Sequence, residues 1–491
     1  MSNSYKNILK TTGVVGAVQV VRLLFGLIRN KLIALYFGTA GLGVWSLYLA
    51  FTEMLQSATS LGLEKSAVKQ MAETRDDLYQ RNLTIQVVLF SLTVLSLFIS
   101  IVVACFASEF SEQIFGHADF KIGVWVCCGA ILFNSLAVAY RSILNGLNEI
   151  KLLAVSQLIG ILIGSCIVFL LIPFTDSSAI PYYLLIIAIT GFLPTFYYVY
   201  KLRLSFEKVV LSEAFKSLST LMRVGLAFWV SAMYLTFITF MTNIYLKEHL
   251  NIEALGLYQA SWTISNLYVG IILSSMGVAF FPKICKVIED KHETSKAINE
   301  QIEFGLLVSL PFIIGIYIFA PLMLVILYSS DFVEGAAIIR WQMLGVAIRL
   351  FGFPFGYALM AKGKALQYSI AQFLFSTINY ALIVILVINI GFDGLGINYF
   401  LAYLVYGLMV GFLCYKTVGY YISPFLLKIV GVYALLLIAS YASLHLMQTV
   451  IFYIVGSCII LLSCVYSFYQ LNQKLDLNIL NYIKSKISNE H

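Results

Sequence analysis

The sequence predicts an all-α integral membrane protein of about fourteen transmembrane helices, and three observations lead to this fold class. Of the 491 residues, 60% are hydrophobic and only 11% are Asp, Glu, Lys or Arg. Soluble proteins carry roughly 25% charged residues, so this composition excludes a chain that folds mainly in water. Apolar segments of about 20 residues, long enough to cross a bilayer as helices, recur along the chain. The alternating strands with aromatic girdles that indicate a membrane β-barrel are absent from the sequence.

The predicted transmembrane helices form two groups of six and a final pair. Each segment is mainly apolar, and polar or charged connections separate one segment from the next. The segments lie near residues 8–37, 42–63, 82–107, 122–145, 152–172, 180–200, 217–246, 255–281, 302–328, 338–361, 367–390, 394–415, 425–447 and 450–469. The apolar stretch that follows Met1–Lys10 is too long for a cleaved signal peptide, so we expect the first helix to be retained.

Basic residues concentrate in every second connection. About 23 of the 31 Lys and Arg residues lie in these connections, for example Lys65 and Lys283, whereas the opposite connections carry acids such as Glu109 and Asp331. By the positive-inside rule the basic connections face the cytoplasm. The sequence therefore predicts a multi-pass protein with an even number of helices and with both termini in the cytoplasm.

The sequence repeats weakly at an offset of about 213–215 residues. Leu42-Gly43-Val44-Trp45 aligns with Leu255-Gly256-Leu257-Tyr258, and Ala154-Val155-Ser156-Gln157 aligns with Ser369-Ile370-Ala371-Gln372. The offset spans six helices, an even number, so the two copies are parallel repeats about an axis along the membrane normal. We expect two parallel six-helix bundles around a central cavity, followed by two appended helices and a cytoplasmic tail. The expected boundaries are 1–212, 213–423, 424–469 and 470–491.

One face of the first predicted helix is polar. Gln19, Arg22, Gly26 and Arg29 recur at intervals of three and four residues, which places them along one helix face. Since a charged side chain in lipid costs about 2.5–3.5 kcal/mol on insertion scales, this stripe predicts a water-filled cavity. The second helix carries an acid deep in its span, Glu53, for which we expect an ion pair with Arg22. Two roles remain open for Glu53: packing alone, or binding of a proton or cation during transport.

Further arginines lie within the later spans. Arg223 is two turns inside the seventh helix, and Arg349 lies in the middle of the tenth, just before residues 352–356, where Pro354 between two glycines predicts a break in the helix. Arg141 and Arg340 lie nearer the ends of their spans, where an ordinary interfacial role competes with a role in the cavity.

The candidate site combines charges from both repeats. Arg22, Arg29, Arg223 and Arg349 are expected to converge between the bundles, with Gln19, Arg141 and Arg340 as further candidates and with Glu53 for ion coupling. Four guanidinium groups against one carboxylate predict an anionic substrate, and the fork of arginine suits a phosphate or pyrophosphate. Aromatic residues such as Tyr258 and Trp262 can also stack on sugar rings, although core packing is their commoner role.

No catalytic or metal-binding motif accompanies these charges. The eight Cys and five His show no ligand spacing, and the sequence has no HExxH motif and no P-loop. We therefore expect no enzymatic activity, no metal, no cofactor and no nucleic-acid partner.

Two segments resemble a known transporter family. Residues 31–38 (KLIALYFG) with Gly41-Leu42-Gly43 resemble the first outer turn of the O-antigen flippases, the Wzx-type polysaccharide transporters. Residues 255–260 (LGLYQA), with Met276-Gly277 and Phe281-Pro282-Lys283, are similar to the second-half signature of that family. The similarity extends over nearly the whole chain in helix number and repeats. The family belongs to the multidrug/oligosaccharidyl-lipid/polysaccharide (MOP) superfamily, with the multidrug-and-toxin extruders and the lipid II flippases.

The resemblance implies a flippase of the bacterial inner membrane. Its substrate would be an undecaprenyl-pyrophosphate-linked oligosaccharide, the repeat unit of O-antigen or a related surface polysaccharide, moved from the cytoplasmic to the periplasmic leaflet by alternating access. The resemblance also implies a proton or sodium counter-ion, and a polymerase and a chain-length regulator of the same pathway as partners. Arg29 resembles an arginine of lipid II flippases that an acidic residue follows, whereas Asn30 follows it here.

Two alternative functions remain open at this point. A multidrug or cation antiporter of the same superfamily would place acids in the cavity, where Glu53 is nearly alone. A membrane-embedded glycan polymerase or ligase would be expected to carry a large outer loop with catalytic residues, and no connection in the sequence is long enough for one.

Overall fold

The computed structural model describes residues 3–74, 76–204, 210–446 and 448–475, and it is helical almost throughout. The helices in this part of the chain are α1 (Asn3–Ser60), α2 (Leu63–Glu73), α3 (Leu78–Cys105), α4 (Ala107–Phe115), α5 (Lys121–Gly146), α6 (Ile150–Leu171), α7 (Ile180–Lys201), α8 (Leu211–His249), α9 (Ile252–Val287), α10 (Lys291–Ile318), α11 (Ala320–Leu327), α12 (Ala336–Ala361), α13 (Ala365–Ile390), α14 (Gly394–Val418), α15 (Pro424–Leu446) and α16 (Thr449–Leu475). No strand occurs within these residues. The all-α membrane fold class is therefore confirmed.

The predicted apolar segments coincide closely with the helices. Within the described residues, eleven helical segments are long and apolar enough to cross a membrane. Two of them, 16–60 and 365–418, each cover two predicted spans, whereas α9 is not among the eleven. The total of fourteen spans stays a prediction. The predicted tail begins within α16, and its residues from 476 onward lie outside the described part of the chain.

The first two predicted helices follow one another within α1, and a single residue, Gly38, separates them instead of a longer loop. α1 is continuous except at Gly38, whose backbone angles are φ 67° and ψ −162°. Only glycine adopts this region readily, because a Cβ atom would clash with the backbone. Gly38 therefore divides α1 into a first half (3–37) and a second half (39–60), which turn about a single residue.

Two predictions about where helices are interrupted are wrong. The expected break at Pro354 does not occur, because α12 runs through it from Ala336 to Ala361. Proline is tolerated inside transmembrane helices where local adjustment and neighbouring groups satisfy the backbone. Conversely, the ninth predicted helix is divided at Phe319 between α10 and α11.

The start of α10 shows how a polar connection caps the N-terminus of a helix. The carboxylate of Asp290 accepts hydrogen bonds from the backbone N–H groups of His292, at 2.8 Å, and Glu293, at 3.0 Å. These bonds stabilise the charged form and lower the pKa of Asp290 below its usual value. The cap fixes the first turn of α10 at a polar connection.

The described residues form two compact units. The first extends to Leu257 and includes Leu327–Ser329, and the second comprises Tyr258–Ile326 and the residues from Ser330 onward. The bundle boundaries 1–212 and 213–423, inferred from the repeat, stay a prediction.

In the first unit, α5 packs against α3 and α7, and α1 packs against α6 and α8. Leu83, Ile143 and Leu221 belong to a buried apolar cluster of this unit. Large apolar side chains also lie on its surface, including Phe90 with 72% and Leu170 with 70% of the side chain exposed. Such a surface is typical of contact with lipid, because a surface in contact with water carries charged side chains in place of large apolar ones.

In the second unit, α12 packs against α10 and α14, and α10 also contacts α15 and α16. Gly345 lies against Tyr399, so close that a Cβ atom on Gly345 would come within 2.4 Å of the ring. Small residues thus permit close contact between α12 and α14, as is usual in membrane helices.

Two repeat-related glycines make reciprocal contacts within the first unit. A Cβ atom on Gly43 would lie 2.1 Å from the carbonyl oxygen of Ile252, and one on Gly256 would lie 1.9 Å from the carbonyl oxygen of Thr39. The pairs Gly43 and Gly256, and Thr39 and Ile252, keep the same spacing in the sequence. The repeat is therefore accompanied by a symmetric crossing of the start of α9 over α1, at which only glycine fits.

Candidate functional site

A cavity of about 340 Å³ lies within the first unit. Both halves of α1 line it, together with α5, α6 and α7. Arg22, Arg29, Arg141 and Glu53, all predicted from the sequence as site residues, lie in its wall. Because the chain turns at Gly38, the two halves of α1 lie side by side. Both halves therefore line the same cavity.

The polar stripe of α1 faces this cavity over part of its length. Arg22, Gly26 and Arg29 line the cavity, whereas Gln19 is exposed and is not among the described lining residues. Gly26 lies directly beside the Arg29 guanidinium, since a Cβ atom on Gly26 would be 3.9 Å from Nη2 of Arg29, an ordinary van der Waals distance.

Arg29 is held in place by a ring rather than by an acid. Its guanidinium carbon lies 4.3 Å from the ring centroid of Trp45, in the second half of α1. Nη2 donates a long hydrogen bond of 3.5 Å to Oδ1 of Asn30, and the buried Nε has no hydrogen-bond partner among the described residues. A buried donor without a partner costs about 1–3 kcal/mol, more where the group is charged, so this guanidinium is suited to an anionic ligand that accepts from it.

Glu53 lies in the wall of the same cavity but does not form the predicted pair. No ion pair joins Arg22 to Glu53 in the described part of the chain, where the ion pairs involve other residues. Both side chains are exposed and line the cavity. Because they do not pair with each other, each charge remains accessible to a ligand.

Arg141 lines this cavity, although the sequence favoured an ordinary interfacial role for it. Its Nε donates to the carbonyl oxygen of Ala137 at 3.1 Å, one turn back along α5. Arg141 and Arg22 are near enough for their positive charges to repel each other. Repulsion between like charges in a partly buried site is relieved when an anion binds between them.

Neutral polar residues and glycines complete the wall. Asn134 and Gln157 line the cavity, and Gly160 and Gly164 of α6 face α7 there. A Cβ atom on Gly160 would lie 2.7 Å from the carbonyl oxygen of Thr190. The spacing of Gly160 and Gly164, four residues apart, is the signal in the sequence that could have identified this helix contact.

Two other predicted arginines lie elsewhere. Arg223 is exposed on α8 and is not among the described residues that line the cavity. Arg340 belongs to the second unit, where its Nε donates to the carbonyl oxygen of Tyr317 at 3.3 Å and its guanidinium carbon lies 6.0 Å from the ring centroid of Phe452.

Arg349 forms a separate polar and aromatic cluster in the second unit. Its Nη1 donates to Oδ1 of Asn266 at 2.7 Å and to the hydroxyl of Tyr399 at 3.3 Å. Its guanidinium carbon lies 5.3 Å from the ring centroid of Tyr403, and Trp262 meets Tyr399 edge-on. These partners are neutral, so the charge of Arg349 is solvated by dipoles and rings. The predicted convergence of Arg349 with Arg22, Arg29 and Arg223 on one site stays a prediction.

The cavity of the first unit is therefore cationic. Three guanidinium groups and one carboxylate share a volume of about 340 Å³ in an environment of reduced dielectric constant. Arginine forms paired, charge-assisted hydrogen bonds with phosphate oxygens. The arrangement can bind a phosphate or pyrophosphate group and hold a carboxylate near it.

The chain is similar in sequence to a polysaccharide biosynthesis family and to two lipid III flippases. A sequence model of the family described as "Polysaccharide biosynthesis protein" matches residues 8–288. The Lipid III flippase of Escherichia coli (strain K12) is 22% identical over 371 residues, which cover 72% of this chain and 86% of that protein. The Lipid III flippase of Shigella flexneri gives the same identity and coverage.

Solved structures share the fold. The lipid II flippase MurJ, in an inward closed conformation, superposes with a TM-score of 0.74 at 16% identity and covers 94% of this chain and 99% of its own. An inward-facing multidrug resistance MATE family transporter of the MOP superfamily superposes with a TM-score of 0.70 at 14% identity and covers 81% of this chain and 94% of its own.

Proposed function

The chain belongs to the polysaccharide biosynthesis protein family, within the MOP superfamily, and from this premise we propose that it is a flippase for a lipid-linked oligosaccharide. The observation that carries the proposal is the cavity in which Arg22, Arg29 and Arg141 face a single carboxylate, Glu53. An excess of arginine suits the phosphate groups that join a glycan to its lipid carrier. The relatives named above as Lipid III flippases support the same substrate class.

We propose more specifically that the substrate is an undecaprenyl-pyrophosphate-linked repeat unit of O-antigen or a related surface polysaccharide. The resemblance of residues 31–38 and 255–260 to O-antigen flippases supports this choice. Transport would run from the cytoplasmic to the periplasmic leaflet of a bacterial inner membrane, with both termini in the cytoplasm, as the basic connections suggest. A polymerase and a chain-length regulator would act on the product.

The proposed binding mode places the pyrophosphate against the guanidinium groups. Arg22 and Arg141 repel each other in the absence of ligand. A pyrophosphate brings two or three negative charges and relieves this repulsion, while it also accepts from the Nε of Arg29. The glycan would lie where the cavity opens.

We propose that Glu53 couples transport to a gradient of protons or sodium ions. Its carboxylate lies in the wall of the arginine-lined cavity and forms no ion pair within the described residues. A proton or sodium ion bound at Glu53 changes the net charge of the cavity, so the occupancy of Glu53 and that of the substrate site are coupled.

Translocation in liposomes tests the proposed function. The purified chain is reconstituted with polyprenyl-pyrophosphate oligosaccharides, and their appearance in the opposite leaflet is measured with an impermeant glycan-modifying enzyme. We expect faster translocation than in protein-free liposomes, and a slower rate for Arg29→Ala. A rate equal to that of protein-free liposomes for every glycan tested would contradict the proposal. Uptake of a cationic dye by the same liposomes, without glycan transport, would favour the drug antiporter instead.

A further inference from the structure

A second cavity, of about 530 Å³, lies in the first unit at one end of the arginine-lined cavity. We call it the vestibule and define it by Glu64 and Lys65 of α2, Arg141 and Asn145 of α5, and Gln157 of α6. Nothing in the proposed binding mode uses Lys65, Asn145 or Glu64.

The two cavities share two side chains. Arg141 and Gln157 line both of them, so the vestibule and the arginine-lined cavity meet at this pair. α2 and the ends of α5 and α6 that line the vestibule belong to the connections rich in basic residues. By the positive-inside rule, the vestibule lies on the cytoplasmic side of the arginine-lined cavity.

The charges of the vestibule favour an anion. Lys65 and Arg141 contribute two positive charges, and Glu64 contributes one negative charge that acts on Arg141. A phosphate group, with up to two negative charges and three acceptor oxygens, is a stronger partner for Arg141 than a single carboxylate. The flexible ammonium of Lys65 lies on α2, whereas Arg141, anchored through its Nε to Ala137, stands between the two cavities.

We infer that the vestibule is a second phosphate-binding site, at which Lys65 and Arg141 hold the phosphate group of a ligand before Arg22 and Arg29 receive it. This inference rests on the proposed function, and it adds an order of binding to it. Arg141 belongs to both sites, so the phosphate keeps one guanidinium partner while it exchanges the others. The ligand class is a phosphate or pyrophosphate group, whether carried by a lipid or free in solution.

Protection of cysteine reporters tests the inference on the full chain in detergent micelles. Asn145→Cys reports on the vestibule alone, and Asn134→Cys, at a partly exposed position, reports on the arginine-lined cavity alone. The labelling rate of each reporter by a charged maleimide is followed by mass spectrometry of its peptide, which separates it from the native cysteines. The probes are inorganic pyrophosphate and a polyprenyl diphosphate in mixed micelles.

We expect a probe to slow the labelling of both reporters. Lys65→Gln should remove the protection of Asn145→Cys and leave that of Asn134→Cys, whereas Arg29→Gln should do the reverse. Arg141→Gln should remove both. The matched control is Lys69→Gln, one turn further along α2, where the lysine pairs with Glu73 and does not line the vestibule.

The outcomes separate the sources of the ligand and the two proposals. Protection by both probes supports recognition of the phosphate group itself, and protection by the lipid alone supports the same site with a lipid-borne phosphate. Labelling of Asn145→Cys that neither probe slows, or protection that survives both Lys65→Gln and Arg141→Gln, overturns the vestibule site. If liposomes translocate glycan while Asn145→Cys stays unprotected, only this inference fails. If both reporters are protected and no glycan crosses, only the proposed function fails.

Discussion

At the scale of single residues, the placement of Arg29 explains why its side chain is suited to ligand binding. The guanidinium group stacks on Trp45 and retains a buried Nε without a protein acceptor in the described structure. Stacking fixes the plane of the guanidinium at little entropic cost, because both groups are rigid. The donor is thus oriented before a ligand arrives.

We predict that substitutions of Arg29 lower the translocation rate in a set order. Arg29→Lys retains the charge but loses the stacked plane and the paired donors, whereas Arg29→Ala loses all of them. Because a hydrogen bond to a charged group contributes about 1.5–3 kcal/mol, Arg29→Ala should slow translocation by about tenfold or more, and Arg29→Lys by less. Initial rates in liposomes measure the difference, with Lys69→Gln as control. Equal losses for both variants would indicate a packing role for Arg29.

A second prediction at this scale concerns Glu53. Glu53→Gln keeps the size and the hydrogen-bonding capacity of the side chain but removes the titrating carboxylate. We expect translocation to depend less on an imposed pH gradient in this variant than in the unchanged chain. The measurement is the ratio of rates with and without the gradient, and Glu109→Gln in α4 serves as control. An unchanged ratio for Glu53→Gln would exclude the carboxylate from coupling to protons.

Residue patterns predicted part of the cavity. Arg22 and Arg29 are seven residues apart, so any helical backbone places them on nearly the same face. The cavity position of Arg141 and the exposed position of Arg223 could not be derived in this way, because each depends on the rotation of one helix against its neighbours. Asn134 and Gln157 were not singled out as site residues, since neutral polar side chains are common in membrane helices for packing reasons.

At the scale of helices, hydropathy located the apolar segments within a few residues. It did not predict that a single residue, Gly38, makes the turn within α1, or that α12 runs through Pro354. Glycine and proline both interrupt regular backbone, but the outcome depends on whether neighbouring groups satisfy the freed hydrogen bonds. That information lies in other helices.

We predict that the reciprocal glycines are required for stability. Gly43→Ala and Gly256→Ala each place a methyl group about 2 Å from a backbone carbonyl oxygen of the crossing helix, so the helices must separate. Overpacking of this kind typically costs about 1–3 kcal/mol and should lower the unfolding temperature in detergent.

The control for these variants is Gly315→Ala in α10, where no atom lies within 4 Å of the new methyl group. Alanine has the higher helix propensity, so this variant should be neutral or stabilising. Unfolding temperatures for Gly43→Ala and Gly256→Ala that equal that of Gly315→Ala would show that the crossing yields without cost.

At the scale of the whole molecule, a buried ionic contact within the second unit joins the two final helices to α10. Glu303 of α10, only 6% exposed, accepts a hydrogen bond of 2.7 Å from Nζ of Lys474 in α16. Its other oxygen accepts from Oγ of Ser423 at 3.0 Å, and Lys474 lies over the ring of Phe425. The pair thus joins α10 to α16 and to the start of α15.

We predict that the two partners respond unequally to substitution. Lys474→Gln leaves the buried Glu303 charge without its cation, and loss of one partner from a fully buried pair costs about 3–5 kcal/mol. The cost of Lys474→Gln should be smaller than this, because Lys474 is 45% exposed. It should still exceed the cost of Glu303→Gln, because that variant leaves only an exposed lysine that water can hydrate. Thermal unfolding in detergent measures both, with Lys428→Gln on exposed α15 as control. A larger loss for Glu303→Gln would contradict the assignment of Glu303 as the buried partner.

The sequence by itself determined that this protein lies in a membrane and where its helical segments lie. It also determined the repeat and the polar stripe of the first helix. These properties are local, because about 20 apolar residues suffice for a span and a spacing of three or four residues suffices for a helix face. Only the tertiary structure decided that Arg22, Arg29, Arg141 and Glu53 share one cavity, that no ion pair joins Arg22 to Glu53, and that a vestibule adjoins them. The physical reason is that a cavity is formed by helices distant in the sequence, whose rotations and separations are set by packing against one another.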